Sequence, residues 1–300
     1  MGPTYILTVV LPAAVGVIMF GLGLNLTASD FARVVQFPRA VVAGLLVQTV
    51  VLVAVAFAIT QLFDLTPMLA VGFMLLAASP GGALANIFSH LAHGDVALNI
   101  TLTALNGALA LVWLPLVLNW SLTHFLGAEL SVPAPTQKIM EVATVIILPV
   151  LIGMLVRHVR PALALRAADP VRIASVVLLA LVVAISLAHS GDTLLFHFGA
   201  VGFACITLNL VSLAIGYAVP RVIGLPVPQA TSISLEIGVH NAAVAIFVAV
   251  NVLDSEVASV PAALYGIVMI ATASVAVTWL RREHARALRL SSNRPESTAC

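Results

Sequence analysis

Nine apolar runs, each long enough to cross a bilayer, fall at roughly 5–25, 38–62, 67–93, 95–121, 137–157, 171–189, 198–220, 229–252 and 259–280. About 20 consecutive apolar residues suffice to span the hydrocarbon core as a helix. In lipid the backbone N–H and C=O groups must pair within their own segment, so runs of this length and texture predict helices. The expected fold is therefore an all-α integral membrane protein with about nine transmembrane helices. The chain is 61% hydrophobic and 8% charged over 300 residues, which is more apolar surface than a soluble domain of this size can hide. The bilayer is thus the first partner. A net charge of +1 with no basic stripe or aromatic platform excludes nucleic acid. The two cysteines, Cys205 and Cys300, suggest neither a disulfide framework nor a metal site. The first run has no basic residues before it and is long enough to span, so it reads as a retained helix, not a signal peptide.

An odd number of spans puts the termini on opposite sides, and the arginines say which. Arg33 and Arg39 follow the first run, Arg157, Arg160, Arg166 and Arg172 bracket the link after the fifth, and Arg221 follows the seventh. Arg281, Arg282, Arg286, Arg289 and Arg294 follow the last, and only Lys138 falls on the other side. The expectation is an N-terminus outside and a C-terminus in the cytoplasm, across the cell's inner (plasma) membrane. Residues 1–282 read as one transmembrane domain, and 283–300 as a short polar, basic tail that frays or lies at the membrane surface.

Two runs are interrupted by small and polar residues. The third contains Ala78-Ser-Pro-Gly-Gly-Ala-Leu-Ala-Asn86, and the eighth contains Glu236-Ile-Gly-Val-His-Asn241. They lie five spans apart, so they must run in opposite directions. That is the pattern of an inverted repeat whose two discontinuous helices cross near the midplane and build a binding site. On this pairing span one matches six, two matches seven and four matches nine, leaving five unpaired.

Glu236 is the one acid set deep in an apolar run, where a carboxylate costs several kcal/mol or more and marks a cation or substrate pathway by default. Broken helices add carbonyls at one half-helix end, suited to hard cations, and amides at the other, suited to anions. Further intramembrane oxygens come from Gln48, Asn86, Asn99, Thr101, Thr103 and Asn106. Asn99 and Thr103 are four apart and share a helix face. Glu236, Asn86, Asn99 and Thr103 together would form an oxygen-rich cage. The alternative is that single amides and hydroxyls only bridge neighbouring helices, and that Pro80-Gly81-Gly82 is only a kink. The segment His90-Leu-Ala-His93-Gly-Asp95 has metal-ligand residue types but sits at a span end, where polar groups are cheap. No Gly-x-Ser-x-Gly elbow or Ser-His-Asp order points to an enzyme.

Ser79-Pro-Gly-Gly-Ala-Leu-Ala-Asn86, Gly94-Asp-Val-Ala-Leu-Asn-Ile-Thr-Leu-Thr103 and Glu236-Ile-Gly-Val-His-Asn241 resemble the bile acid:sodium symporter family, as does Met19-Phe-Gly-Leu-Gly-Leu with Asp30-Phe31. The resemblance runs in order from about Gly2 to Trp279. It implies a core domain carrying the crossed helices (approximately 38–121 and 198–280) and a panel domain moving against it (approximately 5–25 and 137–189). It also implies two sodium sites. By motif, Asn86, Thr103 and Glu236, with Asn99, would hold the first. Glu236, Gln48, the carbonyls of Ile237 and Val239, and the side chain at His240 would hold the second. Asn241, with Ala83 and Asn86, would face the substrate. Departures from the family pattern are Ala85 and Asn99 in place of Ser, His240 in place of Gln, and Met269-Ile270 in place of a His-Asn pair. Imidazole for an amide oxygen disfavours a hard ion such as Na+ at the second site.

The function this implies is sodium-coupled uptake of an organic anion, bile-acid-like or a small carboxylate such as pantoate, by alternating access. A proton-coupled or sodium-independent anion transporter using Glu236 and His240 is the alternative. An exporter of related fold and a non-transporting membrane receptor rank below it: no cysteine stands near the first break, and no output domain follows the last span.

Overall fold

The computed structural model describes residues 11–127, 136–189 and 191–292, so residues 5–10 of the first run and Cys300 lie outside it. Every extended regular element among the described residues is helical. The chain runs through α1 (Leu11–Asn25), α2 (Ala28–Ala32), α3 (Pro38–Leu62), α4 (Pro67–Ala78), α5 (Ala83–Leu91) and α6 (Val96–Leu126). It continues through α7 (Thr136–Val159), α8 (Pro161–His189), α9 (Gly191–Val222), α10 (Val227–Gly238), α11 (Ala242–Asn251) and α12 (Glu256–Ser292). By length and composition 4 helical stretches can cross a membrane, in α3, α9, α10 with α11, and α12, and up to 6 if the bent α1–α2 pair and α6 are each one span. Of the tail expected to fray or lie at the membrane surface, residues 283–292 do not fray but continue the last helix, with Arg286 Nη1 donating to Glu283 Oε1 at 2.6 Å.

Proline explains several of the boundaries. Pro38 and Pro67 stand at the starts of α3 and α4, where a missing N–H costs nothing. Pro80 disfavours helix at the residue before it, and Ser79 accordingly turns extended to end α4. Pro115 lies inside α6, and the helix bends by 52° around residue 111, whose carbonyl Pro115 cannot pair.

The short helices α4 and α10 are buried along almost their whole length, and α11 is buried likewise. They sit at the centre. Helices α9 and α12 pack on α10 and α11, and α6 and α12 pack on α4. Helices α1, α7 and α8 pack on one another and reach the rest mainly through α8 against α12.

Several chain ends gather at one end of the molecule. The backbone N–H of Asp95 donates to the Pro228 carbonyl at 3.0 Å, and Arg281 Nε lies 3.3 Å from His93 Nε2, whose ring also faces His284. Asp95 itself caps α6 by accepting the Leu98 N–H at 3.0 Å. Leu22, Leu26 and Ala104 form a small separate apolar cluster with Phe31, Ile100, Val150 and Met154, which brings the ends of α1 and α7 to the start of α6. Arg33 beyond α1, Arg157 and Arg160 at the end of α7, Arg221 in the last turn of α9 and Arg281 within α12 therefore lie toward this end.

Candidate functional site

The two breaks touch. Ser79 to Gly82 interrupts α4 and α5, and Val239 to Asn241 interrupts α10 and α11. The Asn241 N–H donates to the Pro80 carbonyl at 3.0 Å, and His240 Nδ1 lies 2.8 Å from the Ser79 carbonyl. A Cβ on Gly81 would come within 2.8 Å of the Glu236 carbonyl and 3.0 Å of its Cδ, so only glycine lets the first break lie this close to the second.

Glu236 occupies the last turn of α10 and is 0% exposed. Its Oε2 accepts from Thr103 Oγ1 at 2.7 Å and from Asn99 Nδ2 at 3.1 Å, and its Oε1 from Asn106 Nδ2 at 3.4 Å. Asn99 Nδ2 also donates to Asn86 Oδ1 at 2.8 Å. The four residues expected to form a cage are thus brought together, with Asn99 and Thr103 on one face of α6. Asn106, one turn further along, completes that face. In the sequence it stands out only as an intramembrane amide outside the expected cage; its spacing of three from Thr103 is the signal.

No cationic side chain pairs with Glu236 among the described residues, so only neutral donors balance its charge. Two buried amide oxygens beside it, Asn99 Oδ1 and Asn106 Oδ1, have no hydrogen-bond partner. A buried carboxylate ringed by a hydroxyl and amides with unused oxygens can bind a hard cation, which takes oxygen ligands.

The residues carried over for a second cation site gather at the carbonyl ends of α4 and α10. Gln48 sits in a π-helical turn of α3, Val47–Val51, a distortion that is frequent at functional sites. Its Nε2 donates to the Ala77 carbonyl at 3.3 Å, leaving Oε1 buried and unpartnered, as is His240 Nε2. Ile237 lies in the last turn of α10 and Val239 caps it, its N–H returning to the Leu235 carbonyl. Unanticipated from the sequence is the clamp on Gly238. Its carbonyl accepts from Asn209 Nδ2 at 2.8 Å and from Tyr265 Oη at 2.9 Å, and Thr272 holds Asn209 Oδ1. Asn209 is the single amide of the seventh apolar run, and a five-span offset from Gln48 would have found it.

On the amide side, Asn241 caps α11 by accepting the Val244 N–H at 3.2 Å and lines a cleft of about 720 Å³ of atom-free space, mouth included. The cleft lies between α1 and α7 on one side and the first break, α6 and α11 on the other. Ala83 is the first residue of α5, one residue beyond the cleft-lining Gly81 and its neighbour Gly82. Met269 is fully buried and Ile270 is half exposed, so neither lines this cleft.

Residues 12–196, more than half of the chain, match the Sodium Bile acid symporter family. The chain belongs to that family. This is a multi-pass membrane protein of a transporter family, not an enzyme family. Over 254 residues it is 28% identical to the "Probable sodium/metabolite cotransporter BASS1, chloroplastic" of Arabidopsis thaliana, covering 82% of this chain and 60% of that protein. It is 26% identical to the sodium-dependent transporter YocS of Bacillus subtilis, covering 84% of this chain and 77% of that protein. It is 25% identical to the human ileal sodium/bile acid cotransporter, covering 79% and 67% of the two chains. The match thus spans about three fifths of the Arabidopsis relative's length.

Proposed function

We propose that this symporter-family protein takes up a small organic anion together with sodium by alternating access. The observation that carries the reading is Glu236: a wholly buried carboxylate at the contact of two helix breaks, held by Asn99, Thr103 and Asn106 and, among the described residues, by no cationic side chain. A carboxylate at this depth needs a positive partner that arrives from outside the chain. Na+ at the first site would take Glu236, Thr103 and the oxygens of Asn86, Asn99 and Asn106. A second Na+ would draw on Glu236, Gln48, the carbonyls of Ile237 and Val239, and His240 Nε2, with the imidazole making this the weaker site. The anion would sit across the break, against Asn241 and the start of α5 at Ala83, with Asn86 between the two. Bound sodium would make an anion tolerable there.

Nine spans in an inverted repeat, with α3–α6 and α9–α12 as core and α1, α7 and α8 as panel, fit the packing described above. The cluster of Leu26, Phe31, Ile100, Ala104 and Met154 is then the apolar seal between panel and core at one end, while the cleft beside Asn241 runs from the breaks along α11 to Val252. The shared end of the arginines supports a cytoplasmic seal, with the N-terminus outside and the C-terminus inside.

The test is thermal stability of the purified protein in detergent, in sodium against potassium at equal ionic strength, for the native chain and Glu236→Gln. Specific binding at 100 times the dissociation constant stabilises by about 2.7 kcal/mol. A sodium-specific gain that disappears in Glu236→Gln is expected. Equal stability in both salts for the native chain counts against sodium and favours proton coupling, for which His240 Nε2 offers a buried, unpartnered nitrogen.

A further inference from the structure

We infer that the outward groove between α9 and α12 is a binding site for one acyl chain of an anionic phospholipid, with the headgroup held by Arg221 and Arg282. The site is separate from the cleft beside Asn241 and does not depend on the transport reading.

Both helices are long and apolar enough to cross a membrane, and about 1120 Å³ of atom-free space, mouth included, lies between them. Ala214 on α9 and Ala271 and Ala276 on α12 are too short to fill it, and Leu210, Leu213 and Val275 supply its apolar sides. Leu210 and Val275 are 52% and 69% exposed, so the groove opens outward, where a bilayer presents acyl chains. Two hydroxyls reach its floor, and the protons of both are committed. Ser234 Oγ donates to the Leu213 carbonyl at 2.7 Å, and Thr272 Oγ1 is shared between Asn209 Oδ1 and the Val268 carbonyl. The floor thus offers contact to methylenes, and those two hydroxyls offer no free donor to a polar body.

The dimensions and the charge fit one lipid of one leaflet. From Ala271 to Trp279 the groove follows α12 for roughly 12 Å, against about 15 Å for half of the hydrocarbon core. At one end the rings of Tyr217 and Trp279 meet at 5.0 Å, edge to face at 70°. Tyrosine and tryptophan settle at the level of lipid headgroups. One turn beyond each ring stands an exposed arginine: Arg221, four residues past Tyr217, and Arg282, three past Trp279. Arg221 Nη1 donates to the Leu225 carbonyl at 2.6 Å, which fixes its guanidinium, and Glu283, the acid next to Arg282, is held by Arg286 at 2.6 Å. Positive charge therefore prevails at this end. An apolar trough, an aromatic pair and two arginines follow one another in the order of chain, ester region and phosphate.

A second outward groove, between α3 and α6, has the trough and the aromatics without the arginines. Phe57 and Trp120 line its far end with their rings 5.4 Å apart, and four residues past them stand Gln61 and His124. It is the internal comparison, a place for a chain with no fixed positive charge for a phosphate.

The chain's tryptophans are Trp113 and Trp120 in the second groove and Trp279 in the first, so each groove can carry its own fluorescent reporter. The full chain with Trp113→Phe and Trp120→Phe reports through Trp279, and that with Trp113→Phe and Trp279→Phe through Trp120. Each would be reconstituted in phosphatidylcholine vesicles containing increasing fractions of brominated-chain phosphatidylglycerol or brominated-chain phosphatidylcholine. Trp279 is expected to be half-quenched at a phosphatidylglycerol fraction at least about fivefold below that of phosphatidylcholine, the factor for the roughly 1 kcal/mol that one arginine contributes at an anionic surface. Trp120 should show no such preference. Arg282→Gln, which leaves the Arg221 contact with Leu225 intact, should reduce the preference at Trp279. Adding Arg221→Gln should abolish it while quenching by phosphatidylcholine stays unchanged. Equal quenching of Trp279 by the two lipids would mean annular contact only and overturns the inference, as does a preference that survives both arginine replacements. A Trp279 quenched by neither lipid would mean that protein, such as a second copy of this chain, fills the groove, and overturns it too.

Discussion

At the residue scale the decisive arrangement is one carboxylate and the face of one helix. Residues 99, 103 and 106 of α6 all donate to Glu236, so removing any one withdraws a charge-assisted hydrogen bond, typically worth about 1.5–3 kcal/mol. Asn106→Leu keeps the apolar volume and deletes both the donor and the unused oxygen. We expect it to raise the sodium concentration needed for half-maximal stabilisation by about tenfold or more, read from a sodium titration of the melting temperature; an unchanged midpoint would remove Asn106 from the site. Gly81→Ala should be worse, because its Cβ would meet Glu236 backbone and side chain together. Loss of sodium response with the protein still folded by circular dichroism is the expected outcome there. Much of this was legible beforehand. Glu236, Asn86, Asn99 and Thr103 could be read as one cage because an acid at bilayer depth is costly enough to need an explanation, and because i, i+4 spacing fixes a helix face. Asn209 could be found at the five-span offset from Gln48, but its role and that of Tyr265 were not legible, because what they cap is a backbone carbonyl, and carbonyls carry no sequence signal.

At the element scale, breaks and bends do the positioning. Ser79-Pro80 ends α4 for a reason written in the chain, and Asn241 restarts α11 as an N-cap. The contact between the two breaks depends on Gly81 on one side and on the Asn241 N–H reaching Pro80 on the other. Pro115 shapes the cleft by bending α6, so Pro115→Ala is expected to straighten that helix. We predict tighter packing of α6 on α11 and a narrower cleft beside Asn241, read as slower maleimide labelling of a cysteine at Gly107, with sodium stabilisation retained because Asn99, Thr103 and Asn106 precede the bend. The panel seal gives a separate test. A cysteine at Ala104, 3% exposed, should resist a membrane-impermeant maleimide in the form described here, whereas one at Gly107 in the cleft should react. Reversal of the two reactivities on adding sodium and ligand together is the outcome expected of alternating access; equal labelling of both in every condition would sink the seal.

At the scale of the whole molecule the question is how charge moves through an apolar body. If two sodium ions accompany one monovalent anion, each cycle carries one net charge inward, and a membrane potential contributes about 2.3 kcal/mol per 100 mV. Proteoliposomes clamped at negative interior potential should then take up anion faster than unclamped ones; an unaffected rate would indicate a one-to-one, electroneutral cycle. The sequence by itself determined the class: runs of bilayer length leave helices as the expected way to satisfy their backbone, and two small-residue interruptions, the second beginning at a lone acid, mark where that rule is locally broken. Periodicity and cost per residue are local quantities, so they can be read along a chain. Only the tertiary structure decided that the two interruptions touch, that Asn106 joins the cage, that carbonyl ends are covered by side chains while Asn241 lines a cleft, and that an outward groove between α9 and α12 runs up to Tyr217 and Trp279. Those facts depend on which helix faces which, and that is settled by close packing of surfaces distant in sequence, not by any property of a single run.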